Sequence, residues 1–209
     1  LTNNEYIYTD CIKFKLKDIL MNEPRHSFES YEPKTDSQAR ALDVAKRVVR
    51  LANEPTGSPA IVVLSGNPGI GKTHLLESIK REIGDSGVPY EESVGGQLPS
   101  VANKNPDCRL FLGDDIFSRC DRLGGEFRDT SWSQVSALNE LTLNDWYPNG
   151  KLVVLTSNFS LKAILVALNE FDRIGRSVSR LREMASRGAD VPILGEDHRA
   201  SSDIVSLFE

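Results

Sequence analysis

Residues 66–74, Gly-Asn-Pro-Gly-Ile-Gly-Lys-Thr-His, combine glycines, one lysine and one hydroxyl at a spacing suited to holding phosphate. Gly66, Gly71, Lys72 and Thr73 fit G-x-x-x-x-G-K-[ST] at every fixed position. Glycines let backbone N–H groups wrap an anion closely, because no side chain blocks the approach. The lysine reaches the outer phosphates, and the threonine hydroxyl is a ligand for magnesium. The expected nucleotide-binding set is Gly66, Asn67, Pro68, Gly69, Ile70, Gly71, Lys72, Thr73 and His74. Such a loop must sit between a buried strand and a helix. Ala60 to Leu64 is an apolar run that predicts the strand. Leu75, Leu76 and Ile79 follow at helical spacing, and the helix would aim its positive end at the same anion.

Two further runs end in groups with chemistry to offer. Arg109-Leu-Phe-Leu-Gly predicts a strand over 109–113 that delivers Asp114 and Asp115 to its carboxyl end. Ligands of open α/β sheets bind at that edge. Asp114 would hold magnesium together with Thr73, and Asp115 would orient or activate an attacking water. Residues 151–156 predict another buried strand that runs into Ser157 and Asn158. Asn158 is neutral and two-handed, able to touch a terminal phosphate and a water at once. A helix over 173–187 places Ile174, Val178, Leu181 and Ala185 on one face. Arg173, Arg176, Arg180 and Arg187 fall on another. That second face reads either as a solvated basic surface or as an arginine stripe for a neighbour's triphosphate or for nucleic acid.

The remaining elements supply the scaffold. Thr35 and Gln38 form a capping box that opens a helix through about residue 53, with Leu42, Ala45, Val48, Val49 and Ala52 on its apolar face. Short strands are expected at 88–94 and 191–194, and helices at 133–146 and 160–169. Strands alternating with helices predict a three-layer α/β domain with a five-stranded parallel sheet. Residues 11–17 alternate Ile12, Phe14 and Leu16 with Lys13, Lys15 and Lys17. This is either a lysine-guarded edge strand or a strand that docks a partner. Residues 22–35, with Pro24 and Pro33, read as an extended lead-in. Residues 95–107 read as a loop, and 118–131 as a mobile basic loop with Arg119, Arg122 and Arg128.

With 209 residues the chain suffices for one domain with a sizeable core. Its net charge of −5 offers no global basic signature, so any nucleic-acid contact must be local. Lys104 and the three loop arginines are the candidates, and they predict weak, salt-sensitive binding of single-stranded DNA that ATP strengthens. Cys11, Cys108 and Cys120, with His26, His74 and His198, make no zinc spacing. Scattered cysteines point to a reducing compartment, hence a cytoplasmic protein. No apolar run approaches the ~18 residues of a membrane span. The first residue is Leu rather than Met, so an upstream part is expected.

The ordered set of phosphate loop, Asp-Asp strand, Thr-Ser-Asn strand end and arginine helix resembles the AAA+ ATPases. Within them it is most similar to the DnaC/DnaI/IstB group, the bacterial and phage replicative helicase loaders and their transposition relatives. Ser27-Phe-Glu-Ser-Tyr31 and the helix from Asp36 resemble that group's lead-in to the nucleotide site. Arg176-Ser-Val-Ser-Arg180-Leu181 resembles its arginine-finger helix, with Arg180 as the finger. Val191 to Arg199 resembles its terminal strand and turn. Many loaders have Asp-Glu where this chain has Asp114-Asp115, whereas the related initiator DnaA commonly has Asp-Asp. About 50 residues follow Asn158, too few for a full helical lid domain.

The resemblance implies the AAA+ strand order, ATP with Mg2+, weak ATP hydrolysis, and self-assembly with Arg180 acting in trans. It also implies a replicative DNA helicase as partner. On this reading 1–24 is a lead-in or docking strand, 25–200 the ATPase domain and 201–209 a tail. Other readings are an IstB-like transposition helper on duplex DNA and a small-molecule kinase using the same loop.

Overall fold

The computed structural model describes residues 26–54, 57–93, 97–99, 108–117 and 132–197. The expected strand 11–17, the basic loop 118–131, Lys104 and the tail beyond 197 lie outside them. In chain order the elements are α1 (Asp36–Asn53), β1 (Ala60–Ser65), α2 (Lys72–Ser86), β2 (Tyr90–Ser93) and β3 (Leu110–Ile116). Then follow α3 (Trp132–Leu141), a π-helical turn (Thr142–Trp146), β4 (Leu152–Ser157), α4 (Leu161–Phe171), α5 (Arg176–Arg187) and β5 (Ala189–Pro192). Every strand pair is parallel, in the order β2-β3-β4-β1-β5.

All six residues of β1 and all six of β4 are buried, as strands covered on both faces must be. Alternation divides their side chains between two cores. Val62, Leu64, Leu110, Leu112 and Val154 pack beneath α1 and α2. Ile61, Val63, Phe111, Val153 and Leu155 pack against α3, α4 and α5. Phe28 and Tyr31 of the lead-in are also buried, in the first of these cores. The predicted three-layer α/β arrangement is therefore the observed one.

The capping box forms as expected: Thr35 accepts from the Gln38 N–H, and the Gln38 side chain accepts from the Thr35 N–H. Gln38 is itself buried and also reaches the Ile70 carbonyl, so the cap ties α1 to the phosphate loop.

Several boundaries differ from the sequence reading. The predicted helix 133–146 is α-helical from Trp132 to Leu141 and then widens into the π turn. The predicted strand 191–194 is shifted to Ala189–Pro192, because those residues pair with Val62 to Ser65 of β1; the Ile193 N–H still donates to the Ser65 carbonyl, and the Leu194 N–H turns to Ser37 Oγ. The arginine helix starts at Arg176, not Arg173: its N-cap residue is Gly175, and Asp172 holds the turn before it. The Asp172 carboxylate accepts from the Ile174 N–H and from the backbone and hydroxyl of Ser177. Burial pushes this carboxyl up, but those bonds outweigh it and hold the group below its ordinary range. Arg173 and Ile174 therefore sit in the turn, off the helix. Ile174 is 77% exposed instead of joining the apolar face.

At the sheet's amino-terminal edge, Lys151 is fully buried between Asp145 of the π turn, 3.0 Å away, and Glu91 of β2, 3.2 Å away. Removing one member of a buried ion pair leaves a charge without compensation and typically costs about 3–5 kcal/mol. Lys151→Met should lose about that much stability in urea unfolding. An unchanged midpoint would show that Asp145 and Glu91 do not depend on it.

Candidate functional site

Because β4 lies between β1 and β3, three strand ends open onto one cleft of about 430 Å³. Its lining includes Gly69, Lys72, Thr73, Asp114, Asp115 and Asn158. Thus Gly69 and Asn158, 89 positions apart in the chain, meet at the carboxyl edge, as strand order alone dictates.

The phosphate loop leaves β1 at Ser65 and enters α2 at Lys72. Gly71 is left-handed (φ 96°), and a Cβ there would stand 2.8 Å from Tyr31 Cε2. So glycine is required at this position on the outer side too, where the lead-in packs, in addition to the phosphate side. The Tyr31 hydroxyl is buried without a hydrogen-bond partner, and burial pushes it up to about 12.

Lys72 is buried, and its ammonium donates to the carbonyls of Gly66 and Asn67, each at 2.8 Å, and to Asn158 Oδ1 at 3.0 Å. Asn158 Nδ2 donates in turn to Asp115 Oδ1 at 3.4 Å. This amide therefore joins the loop lysine to the carboxylate of β3. Thr73 Oγ1 donates to Asp114 Oδ1 at 3.1 Å, which places two hard oxygens side by side.

His74 is among the residues that line the cleft, and its ring also meets the lead-in. Its Nε2 lies 3.0 Å from the Ser27 carbonyl and 3.1 Å from Ser30 Oγ, and its ring meets Tyr31 edge-on. It holds the lead-in against α2. Arg180 does not line the cleft. It lies over the Tyr147 ring at 5.1 Å and donates to the Leu143 carbonyl at 3.2 Å, on its own chain. Arg187 pairs with Glu183, and Arg176 is exposed at the start of α5.

Strand β3 does not end before the carboxylates, as the sequence reading had it. It continues to Ile116 through a bulge, where three steps on β3 (Gly113 to Ile116) match two on β4 (Leu155 to Ser157). Asp115 carries the bulge in a left-handed conformation, φ 52°. A non-glycine residue held there stores strain of the kind that gathers at functional sites. Thr156 supports it: the Asp115 N–H donates to Thr156 Oγ1, and that hydroxyl donates to Asp114 Oδ1, both at 2.7 Å. One hydroxyl thus satisfies the bulge and orients the Asp114 carboxylate. Sequence reading missed Thr156 as a site residue. Its signal was slight, a polar residue inside an otherwise apolar strand.

No protein-family model matches the chain, and no curated protein does. Solved structures do. A DnaI structure aligns over 85% of this chain and 95% of its own, with a TM-score of 0.59 and 18% identity. A DnaC helicase loader aligns over 80% of this chain and 96% of its own, at 0.55 and 21%. The chain has the AAA+ fold. Replication initiator DnaA bound to AMPPCP and single-stranded DNA also matches, at 0.54 and 19%; the match covers 84% of this chain and 52% of the DnaA chain. At these identities the likeness lies in the fold.

Thr156→Val should unfold more easily by about 1–3 kcal/mol, since the Asp115 N–H loses its acceptor, whereas Thr156→Ser should keep most of the stability. Equal urea midpoints for wild type and Thr156→Val would remove this support role.

Proposed function

We propose that this AAA+ domain binds and slowly hydrolyses ATP with Mg2+, and that it assembles on DNA to load a replicative helicase. One observation carries the reading: Lys72, Thr73, Asp114, Asp115 and Asn158 converge on a single cleft at the carboxyl edge. The donor set suits both ligands. The glycine loop offers backbone N–H groups to phosphate. Among the described residues no group of three or more His, Cys, Asp or Glu could hold a metal alone. Thr73 and Asp114 supply two oxygens, which suits Mg2+, an ion that takes its remaining ligands from phosphate and water.

Bound Mg2+ neutralises phosphate charge. The chain's own residues do the rest. Lys72 trades its loop carbonyls for phosphate oxygens. Asn158 reads the γ-phosphate and, through Asp115, the position of the water. Asp115 orients that water as general base. Among the described residues Lys72 is the one Lys or Arg that lines the cleft, and on this reading a single lysine meets the triphosphate's charge incompletely. Arg180 of a neighbouring copy supplies the rest, a contribution typically worth about 10³–10⁵ in rate. To do so it leaves Tyr147 and the Leu143 carbonyl of its own chain. Assembly then depends on nucleotide, and hydrolysis releases it.

The likeness to a DnaC helicase loader and to DnaI supports replication as the setting. Residues 25–200 are the ATPase domain on this reading, and 1–24 the docking lead-in. Among the described residues no helix is long and apolar enough to cross a membrane.

Lys72→Ala should lose roughly ten- to hundred-fold in ATP affinity, the worth of a charged hydrogen-bond partner; calorimetry giving equal affinities would refute the binding reading. Arg180→Ala should bind ATP normally yet hydrolyse it poorly. Because Lys72→Ala keeps its finger and Arg180→Ala keeps its site, mixing the two should recover activity at shared interfaces. A mixture as inactive as either protein alone, where wild type assembles, would end the trans assignment. Pull-down from host lysate with ATP, with the retained protein identified, tests the helicase.

A further inference from the structure

Directly after β5, residues 193–197 stay against the domain. Residues 193–197 cross the outside of the phosphate loop and are stitched to it and to α1. The Ile193 N–H donates to the Ser65 carbonyl at 2.7 Å, and the Ile193 carbonyl sits where a Cβ at Gly66 would go. The Leu194 N–H donates to Ser37 Oγ at 2.9 Å. The Leu194 carbonyl accepts from Thr35 Oγ1 at 2.9 Å and Ser37 Oγ at 3.0 Å. Gly195 lies against the Gln38 amide. At the end of this strap the Asp197 carboxylate rests on Gly69, in the space that a Cβ there would occupy. Gly69 is left-handed (φ 79°) and is among the residues that line the cleft. A negative group is thus packed on the back of a loop whose N–H groups are arranged for anions.

Resting on the reading that this loop binds a nucleotide, we propose that the strap 193–197 is an electrostatic gate, with Asp197 weakening the loop's hold on phosphate. The carboxylate and a bound phosphate would be separated by one backbone with a van der Waals contact on each side, roughly 7–8 Å. A unit charge at that distance, in surroundings between water and protein interior, changes affinity by roughly three- to thirty-fold. Coupling of this kind is reciprocal. If the seated strap weakens nucleotide binding, bound nucleotide loosens the strap from Thr35 and Ser37. Leu194 is 69% exposed on the outer surface of the strap. A partner that gripped it and drew the strap away would therefore tighten nucleotide binding.

The test is calorimetry of ADP and ATP with Mg2+ on wild type, Asp197→Asn and Asp197→Glu, at low and high salt. Hydrogen exchange of 193–197 with and without nucleotide accompanies it. Asp197→Asn should bind roughly three- to thirty-fold tighter, with the gain shrinking in high salt, and Asp197→Glu should not gain. Nucleotide should speed exchange in the wild-type strap. Unchanged or weaker binding by Asp197→Asn, an equal gain by Asp197→Glu, or unchanged exchange in the wild-type strap overturns the gate while leaving the nucleotide site standing. If folded wild type and folded Asp197→Asn both fail to bind either nucleotide, the proposed function falls, and the gate with it.

Discussion

The ammonium of Lys72 is the point at which the site is tied together. It donates to two carbonyls of the loop that carries it and to Asn158 at the end of β4. A buried ammonium is tolerated only where acceptors surround it. The loop must therefore curl back on itself, and β4 must run beside β1 for Asn158 to arrive. Both conditions hold because Ala60–Ser65 pairs with Leu152–Ser157 residue by residue. The same register sets Ser65 opposite Ser157, whose carbonyl accepts from the Gly66 N–H and anchors the loop's first turn.

From that anchor the arrangement spreads outward on both sides. Towards β3, Asn158 meets Asp115, and Thr156 supports the bulge that carries both carboxylates. Towards the sheet edge, β5 continues into the strap that covers the loop's outer face. Towards the surface, Tyr31 fills the space left by the missing Cβ of Gly71, and His74 clips the lead-in down. The loop's glycines are thus enclosed on one side by protein and face the cleft on the other. Its shape is set by packing before any ligand arrives, which is the preorganisation an anion site needs if binding is not to cost loop entropy.

The opposite edge of the sheet is governed by different physics. There Lys151, Asp145 and Glu91 form a buried charge cluster beneath the π turn. The same turn offers the Leu143 carbonyl to Arg180, and Tyr147 just beyond it offers its ring. The resting place of this arginine is set by the packing of α5 on the π turn. Helix α5 in turn leads directly into β5 and the strap. The arginine surface and the phosphate loop are therefore joined through one short strand.

The sequence by itself determined what is local and repetitive. The phosphate loop was legible because its chemistry is confined to nine consecutive residues. The strands at 60–64 and 151–156 were legible as apolar runs, and α1 by its capping box. The parallel three-layer class followed from alternating periods. Tertiary structure alone decided whatever depends on register and long-range packing. The bulge at Asp115 arises from pairing with β4, so no pattern within 109–116 announces it. The role of Thr156 depends on which strand lies beside it. The start of α5 was set by the turn before it, where the Asp172 carboxylate accepts from the Ser177 N–H, although the arginine spacing continued smoothly past that point. Arg180, read from its spacing as part of an arginine stripe offered to a neighbour, lies over Tyr147 because an aromatic face 33 residues away in sequence is packed against it. His74 lies inside the loop motif, yet its ring found the lead-in. Spacing specifies which residues can act together, but the direction a side chain takes is settled by the neighbours that the fold brings to it.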